Sequence, residues 1–163
     1  MIFTIGHGTR PLTTFLQLLE QYSIEFVIDV RSIPYSTFNP QYRQPELVTA
    51  VRAAGFRYIY MGNSLGGRPT DPECYNSYGR LDYDLVRIQP FFLEGLERIV
   101  TAYEKGIRVA LLCSESKPAN CHRSKLIGKS LQQRGIPVQH IDEEGTLVHQ
   151  ALLAVNPALM LFQ

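Results

Sequence analysis

Two thiols, a carboxylate, an imidazole and a guanidinium lie close together in the segment 113–123. They belong to Cys113, Glu115, Cys121, His122 and Arg123. A thiol or a carboxylate can attack a substrate, an imidazole can carry a proton, and a guanidinium can hold an anion. The residue types therefore predict a chemical site, although they do not select one reaction.

The segment follows a predicted strand and precedes a predicted helix. The strand is the apolar run over 107–112, and the helix is the periodic pattern over 124–135. In α/β proteins the carboxyl end of a strand and the amino end of the next helix open onto one crevice, where ligands bind. We therefore expect the segment to line such a crevice.

Polar residues also follow the other predicted strands, which cover 2–5, 26–30, 57–61 and 137–141. Because the carboxyl ends of parallel strands share one edge of a sheet, we expect these residues to be neighbours. The residues at these strand ends are Gly6, His7, Gly8, Asp29, Arg31, Gly62, Asn63, Asp142 and Glu143.

His7, Glu115 and Cys121 are the candidate catalytic residues. The imidazole of His7 is a general acid or base, an anion contact or a metal ligand, or else caps a neighbouring helix from a turn. Glu115 is a general base, or else neutralises Arg123 or His122. Cys121 is a nucleophile or a structural thiol, and we favour the structural role.

Asp29 and Arg31 are candidate substrate contacts, as are Cys113, His122 and Arg123. The guanidinium of Arg31 can present a fork to a phosphate, or the two residues can simply pair with each other. Residues 121–123 open a helix, where unpaired amides and the helix dipole favour an anion or a thiolate. Alternatively, Asn120 caps the helix and Cys121 packs as a small apolar residue.

Zinc is an alternative for the same residues, because Cys113, Cys121, His122 and His7 supply suitable ligand types. No paired Cys-x-x-Cys or His-x-x-x-His knuckle is present, so we predict no metal and no cofactor. A rhodanese-like or phosphatase-like nucleophilic cysteine is a further alternative. It matches weakly, because no arginine lies five residues beyond the cysteine.

The predicted strands alternate with helical patterns, which indicates an α/β fold with a mostly parallel, Rossmann-like sheet flanked by helices in three layers. We expect one domain over 1–163, with a long loop excursion at 62–88 rich in Gly, Pro, Asn and Asp. A last helix is predicted over 147–155, and the apolar tail at 159–162 is expected to pack on the domain.

Composition narrows the function classes. The net charge is +1, so affinity for a polyanion needs a local patch, and no apolar run is long enough to cross a bilayer. Three cysteines without a framework spacing, and no leader-like start, favour the cytoplasm. We expect Cys74 to be a partly exposed loop thiol. The sequence predicts no oligomeric state.

Five short motifs together resemble the domain-of-unknown-function family 488. They are Thr4-Ile5-Gly6-His7-Gly8, Val27-Ile28-Asp29-Val30-Arg31, Leu65-Gly66-Gly67, Leu111-Leu112-Cys113-Ser114-Glu115 and Cys121-His122-Arg123. One departure is Gly8, where the resemblance leads us to expect a serine. The resemblance implies a compact α/β domain in a bacterial or archaeal cytosol, and it implies no reaction.

The residues favour an enzyme that acts on a phosphate-bearing substrate, a nucleotide or nucleic acid, at the carboxyl edge of the sheet. Arginines interleave with aromatic residues in the middle loops, where they could hold bases and phosphates, although ordinary loop packing also explains them. The alternatives are a non-catalytic nucleotide or nucleic-acid binding module and a zinc-stabilised or rhodanese-like thiol domain. No membrane partner is expected.

Overall fold

A single six-stranded sheet organises the computed structural model, which describes residues 1–153. The strands are β1 (Ile2–Gly6), β2 (Phe26–Asp29), β3 (Arg57–Tyr60), β4 (Val109–Cys113), β5 (Val138–Ile141) and β6 (Leu147–His149). Their order is β3-β2-β4-β1-β5-β6, and only the β5–β6 pair is antiparallel among the described strands. The central strand β4 thus lies between β2 and β1.

Helices cover both faces of the sheet. They are α1 (Leu12–Gln21), α2 (Gln44–Ala53), α3 (Gly62–Leu65), α4 (Tyr83–Arg87), α5 (Pro90–Glu104), a π-helical turn (Arg123–Gly128) continuing as α6 (Lys129–Gln133), and α7 (Gln150–Leu153). Short 3₁₀ turns cover Pro40–Tyr42, Pro72–Cys74 and Pro118–Asn120.

Successive side chains of the buried strands pack alternately into two apolar layers, one on each face of the sheet, because side chains of a strand point to opposite faces in turn. In β4, Ala110 and Leu112 pack in the layer that α1 and α2 cover. Val109 and Leu111 pack in the opposite layer, which α5 and α6 cover. The expected α/β fold, with a mostly parallel sheet flanked by helices, is therefore confirmed.

The chain after β5 differs from the prediction. The helix expected over 147–155 is wrong at its start, because Leu147–His149 pairs with β5 as an edge strand and the helix begins only at Gln150. Asp142 closes the connecting turn by accepting hydrogen bonds from the backbone N–H groups of Glu144 and Thr146. The remainder of that prediction and the tail at 159–162 lie outside the described residues.

Parts of the excursion at 62–88 pack against the core. Leu65 and Val86 pack in the same apolar layer as α5. Cys74 is 0% exposed in that layer, so the prediction of a partly exposed thiol is wrong. The reason is tertiary: the short turn at Pro72–Cys74 packs against α4, and Cys74 joins the apolar layer that includes Val86 of that helix. None of the described helices has the length and apolar character to cross a membrane.

Candidate functional site

A cavity of about 500 Å³ opens at the carboxyl ends of β2 and β4. Its walls come from the segment after β2, the excursion at 62–88 and the loop after β4. The residues with reactive or charged side chains in its lining are Arg31, Arg68, Cys113, Glu115, Cys121 and His122. Five of these six were predicted as site residues. Arg68 is one of the middle-loop arginines for which either phosphate contact or ordinary loop packing was expected.

Cys113, Cys121 and His122 form a compact cluster in this lining. Nδ1 of His122 lies 3.8 Å from Sγ of Cys113 and 3.7 Å from Sγ of Cys121. All three potential ligand atoms lie within 4.8 Å of one another. Among residues 1–153, no other group of three or more His, Cys, Asp and Glu side chains is close enough to hold a metal ion.

The ring of His122 is held in one orientation. Its Nε2–H donates to the carbonyl oxygen of Val30 at 3.1 Å, which leaves Nδ1 as the unprotonated nitrogen facing the sulphurs. Gly67 lies against the ring, and a Cβ at that position would stand 2.8 Å from Cγ of His122. The second glycine of the Leu65-Gly66-Gly67 motif therefore makes room for the imidazole.

The two thiols are not equivalent. The pKa of Cys113 is lowered, chiefly by the hydrogen bond from Cys121, with a smaller contribution from the backbone N–H of Glu115. The pKa of Cys121 is raised, because its proton is shared with Cys113 and because the thiol is buried. The pair therefore readily loses one proton and holds the second strongly.

Arg123 lies beneath the cluster with no described carboxylate within ion-pair distance. It is 0% exposed, and its guanidinium donates to Oγ1 of Thr4 at 3.2 Å and to the carbonyl of Ser116 at 2.7 Å. Its Nε–H has no partner among the described residues. Burial lowers the pKa of Arg123, while the nearby thiols Cys121 and Cys113 raise it. A buried positive charge therefore stands next to the thiols.

A buried chain of hydrogen bonds, called the relay below, runs from Arg123 into the core. Oγ1 of Thr4 lies 2.7 Å from Nδ1 of His140, and Nε2 of His140 lies 2.6 Å from Oε1 of Gln150. With Gln150 accepting from Nε2–H, Nδ1 accepts from the hydroxyl of Thr4, and that hydroxyl oxygen accepts from Arg123. His140 and Gln150 were not predicted, since an isolated histidine in a strand carries no recognisable pattern.

Asp29 and Arg31 pair with each other. Nε and one terminal nitrogen of Arg31 donate to the two carboxylate oxygens of Asp29, at 2.9 and 2.7 Å. The other terminal nitrogen donates to the carbonyl of Tyr42, and the hydroxyl of Tyr58 donates to Asp29 at 2.6 Å. Asp29 is thus a buried support for Arg31, whose role in substrate binding stays a prediction.

His7 does not contribute to the cavity lining. Its ring is buried and stacks on Tyr42 with centroids 4.3 Å apart, and its Nδ1–H donates to the carbonyl of Gly8. Nε2 has no partner among the described residues. The pKa of His7 is lowered, chiefly by burial. The catalytic role predicted for His7 stays a prediction.

Glu115 is exposed and makes no ion pair with Arg123 or His122 within residues 1–153. The expected alternative, that it neutralises one of them, is therefore not seen. Its loop packs against the end of β1 because Gly6 has no side chain: a Cβ there would stand 1.7 Å from the carbonyl oxygen of Glu115. Gly8 adopts a positive φ of 50° beside Ser116.

The comparisons with known proteins identify one family model. The model described as "Domain of unknown function DUF488" matches residues 11–129, which include β2, β4 and every reactive residue that lines the cavity. No curated protein and no solved structure matches the chain.

Proposed function

For a chain that belongs to the DUF488 family, we propose an enzyme that acts on a phosphate-bearing substrate, a nucleotide or nucleic acid, in the cavity after β2 and β4. The observation that carries the proposal is the meeting, in one lining, of two arginines with a carboxylate and a thiol–imidazole cluster. Such a combination supplies both anion contacts and groups for acid–base chemistry.

The arginines suit an anionic ligand in different ways. Arg31 spends three of its five N–H donors on Asp29 and Tyr42, so it is held rigidly while two donors remain. Arg68 is exposed, and its side chain has no partner among the described residues. The backbone N–H of Arg68 donates to Oγ of Ser32, which fixes its loop at the cavity. A phosphate between the two side chains would receive charge-assisted hydrogen bonds.

Glu115 is the one carboxylate among the described residues of the lining. Because its exposed carboxylate lines the cavity two residues beyond the end of β4, it would be available to take a proton from an attacking water or hydroxyl. Exposed aromatic and apolar side chains at the cavity, Tyr35 and Ile33, offer a surface for a base or sugar.

The test uses the full chain with inorganic phosphate for binding and a panel of nucleotides and short oligonucleotides for turnover. Arg68→Ala should weaken phosphate binding at least about tenfold, since a charged hydrogen bond contributes about 1.5–3 kcal/mol. Arg80→Ala is the matched control, because Arg80 is an exposed arginine of the same excursion outside the cavity. Glu115→Gln should lower turnover at least about a hundredfold while binding persists.

Equal weakening by both arginine variants would show that phosphate binds through diffuse charge and would contradict the cavity as its site. Binding that depends on Arg68, with no turnover of any substrate by the unmodified chain, would instead favour a non-catalytic nucleotide-binding module.

A further inference from the structure

We infer that Cys113, Cys121 and His122 bind a zinc-type divalent ion whose fourth coordination position opens into the cavity. The inference deepens the proposed function, since the ion would lie in the same site, but it rests on separate observations. The first is the size of the cluster. Zinc bonds of about 2.3 Å to sulphur and about 2.0–2.1 Å to nitrogen, at tetrahedral angles, place S and N about 3.6 Å apart.

The measured separations agree with that geometry. Nδ1 of His122 lies 3.8 Å and 3.7 Å from the sulphurs of Cys113 and Cys121. A tetrahedral ion also requires its two sulphurs to be about 3.8 Å apart, and all three donor atoms lie within 4.8 Å of one another. An ion could therefore replace the shared protons with shifts of less than about 1 Å.

The second observation is the arrangement behind the ligands. Ligating histidines nearly always donate their other N–H to an oxygen, as His122 does to Val30 at 3.1 Å. The backbone N–H of Arg123 donates to Sγ of Cys121 at 3.5 Å, a contact that supports a thiolate ligand. These contacts aim the unprotonated nitrogen and the sulphurs at one point before any ion binds.

The third observation is charge. Two thiolates cancel the charge of a divalent ion, and the buried guanidinium of Arg123 then leaves the site positive by one unit. That balance favours an anionic fourth ligand, such as a phosphoryl oxygen. Since all three ligands line the cavity, such an oxygen can reach the ion from it.

The types of ligand atom also indicate which ion would bind. Two thiolates and an imidazole suit zinc and not magnesium or calcium, which prefer oxygen ligands. Three protein ligands with one open position are typical of catalytic zinc, whereas structural zinc sites are closed by four. A bound ion would polarise the phosphate-bearing substrate through the coordinated oxygen.

The test measures metal on the full chain without any substrate. Protein expressed with added zinc and purified under reducing conditions should contain one equivalent of zinc per chain. Reconstitution with Co²⁺ should produce thiolate-to-cobalt charge-transfer absorption and tetrahedral ligand-field bands. Cys113→Ser, Cys121→Ser and His122→Gln should each weaken zinc binding at least about a hundredfold, which exceeds the effect of losing a supporting contact.

Cys74→Ser is the matched control, since Cys74 is a buried free thiol outside the cluster, and it should retain zinc and the cobalt spectrum. If a ligand variant fails to fold, alkylation of the unmodified chain gives the answer: zinc should protect Cys113 and Cys121 together at one equivalent. A reduced chain with no stoichiometric metal after reconstitution would overturn the inference, as would unchanged binding in His122→Gln.

These outcomes separate the inference from the proposed function. Stoichiometric zinc on Cys113, Cys121 and His122 in a chain that binds no phosphate would support the metal site and contradict the phosphate-acting enzyme. Undiminished turnover of a phosphate-bearing substrate by a metal-free chain that cannot bind zinc would support the phosphate-acting enzyme and contradict the metal site.

Discussion

Two buried arginines lie beside the cavity, and the chain balances their charges differently. The guanidinium of Arg31 donates two parallel hydrogen bonds to the carboxylate of Asp29, which neutralises its charge. Arg123 has only neutral acceptors among the described residues, and the thiols Cys113 and Cys121 are the nearby groups that can carry negative charge. Replacing Asp29 therefore removes the counter-charge of Arg31, whereas replacing Cys113 or Cys121 removes a group that can balance the charge of Arg123.

The first prediction concerns the Asp29–Arg31 pair. Asp29→Asn should destabilise the protein by about 3–5 kcal/mol, because the guanidinium would stay buried without a counter-charge. Asp84→Asn is the control, since Asp84 pairs with Arg87 at an exposed position and should cost less than about 1 kcal/mol. Urea denaturation with a constant slope measures both. Similar costs for the two variants would show that Asp29 is not needed to neutralise Arg31.

At the scale of elements, the junction between β1 and the loop after β4 depends on close backbone approach. The backbone N–H groups of His7 and Gly8 donate to the carbonyls of Cys113 and Ser114, both at 2.9 Å. These bonds continue the β1–β4 pairing beyond the strands and place the loop that carries Glu115. The absence of a side chain at Gly6 makes that pairing possible.

Gly6→Ala should therefore break this junction. The new Cβ would meet a backbone oxygen at 1.7 Å, which no side-chain movement relieves, and we expect a cost of about 3 kcal/mol or more. Gly55→Ala is the control, because its φ of 90° brings strain without any atom within 4 Å. Hydrogen exchange of the His7 and Gly8 amides should accelerate in the first variant only. Retained protection there would contradict the prediction.

The elements themselves were largely predictable from local pattern. The central strands β1, β2 and β4 are largely apolar runs, and their burial on both faces makes such runs conspicuous. β3 and β5 carry polar residues, and their flanking helical patterns and turns mark them instead. The edge strand β6 is three residues long and only partly buried, so its signal is weak. The connection from β5 to β6 does carry a turn signal in the sequence, which is the glycine at position 145. In the structure Gly145 adopts a positive φ of 83°.

The site was predictable where its residues share one loop or adjacent positions. Cys113, Cys121 and His122 meet because one loop joins the end of β4 at Cys113 to Cys121 and His122, and Asp29 reaches Arg31 two residues away. The position of His7 depends instead on Tyr42, whose ring lies in a distant turn and covers the imidazole. Such contacts arise only when the chain folds, and no local pattern encodes them.

At the scale of the whole molecule, the order of the strands decides where the cavity lies. Because β4 returns between β2 and β1, its carboxyl end meets the segments that follow both neighbours. The excursion at 62–88 then supplies Gly67 and Arg68 to the same opening. Since the net charge is only +1, any selectivity for anions comes from these local arginines and not from the field of the whole protein.

The relay through Thr4, His140 and Gln150 links the site to the core, and it makes global stability depend on pH. Burial lowers the pKa of His140 to about 4, against 6.5 for an ordinary histidine. The unfolded chain therefore takes up a proton first as the pH falls. Stability contributed by the neutral ring is full above pH 6.5 and declines towards pH 4, by up to about 3 kcal/mol.

His140→Gln should flatten that decline, because glutamine carries no titrating group, even though the variant is less stable at neutral pH. His7 is also buried with a lowered pKa, so the double variant with His7→Gln should remove more of the slope. Urea denaturation between pH 4 and pH 7.5 measures the slope for each protein. An unchanged slope in both variants would mean that the two rings take up protons as readily in the folded chain as in the unfolded chain. That result would contradict a buried, neutral His140 whose Nδ1 accepts from Thr4.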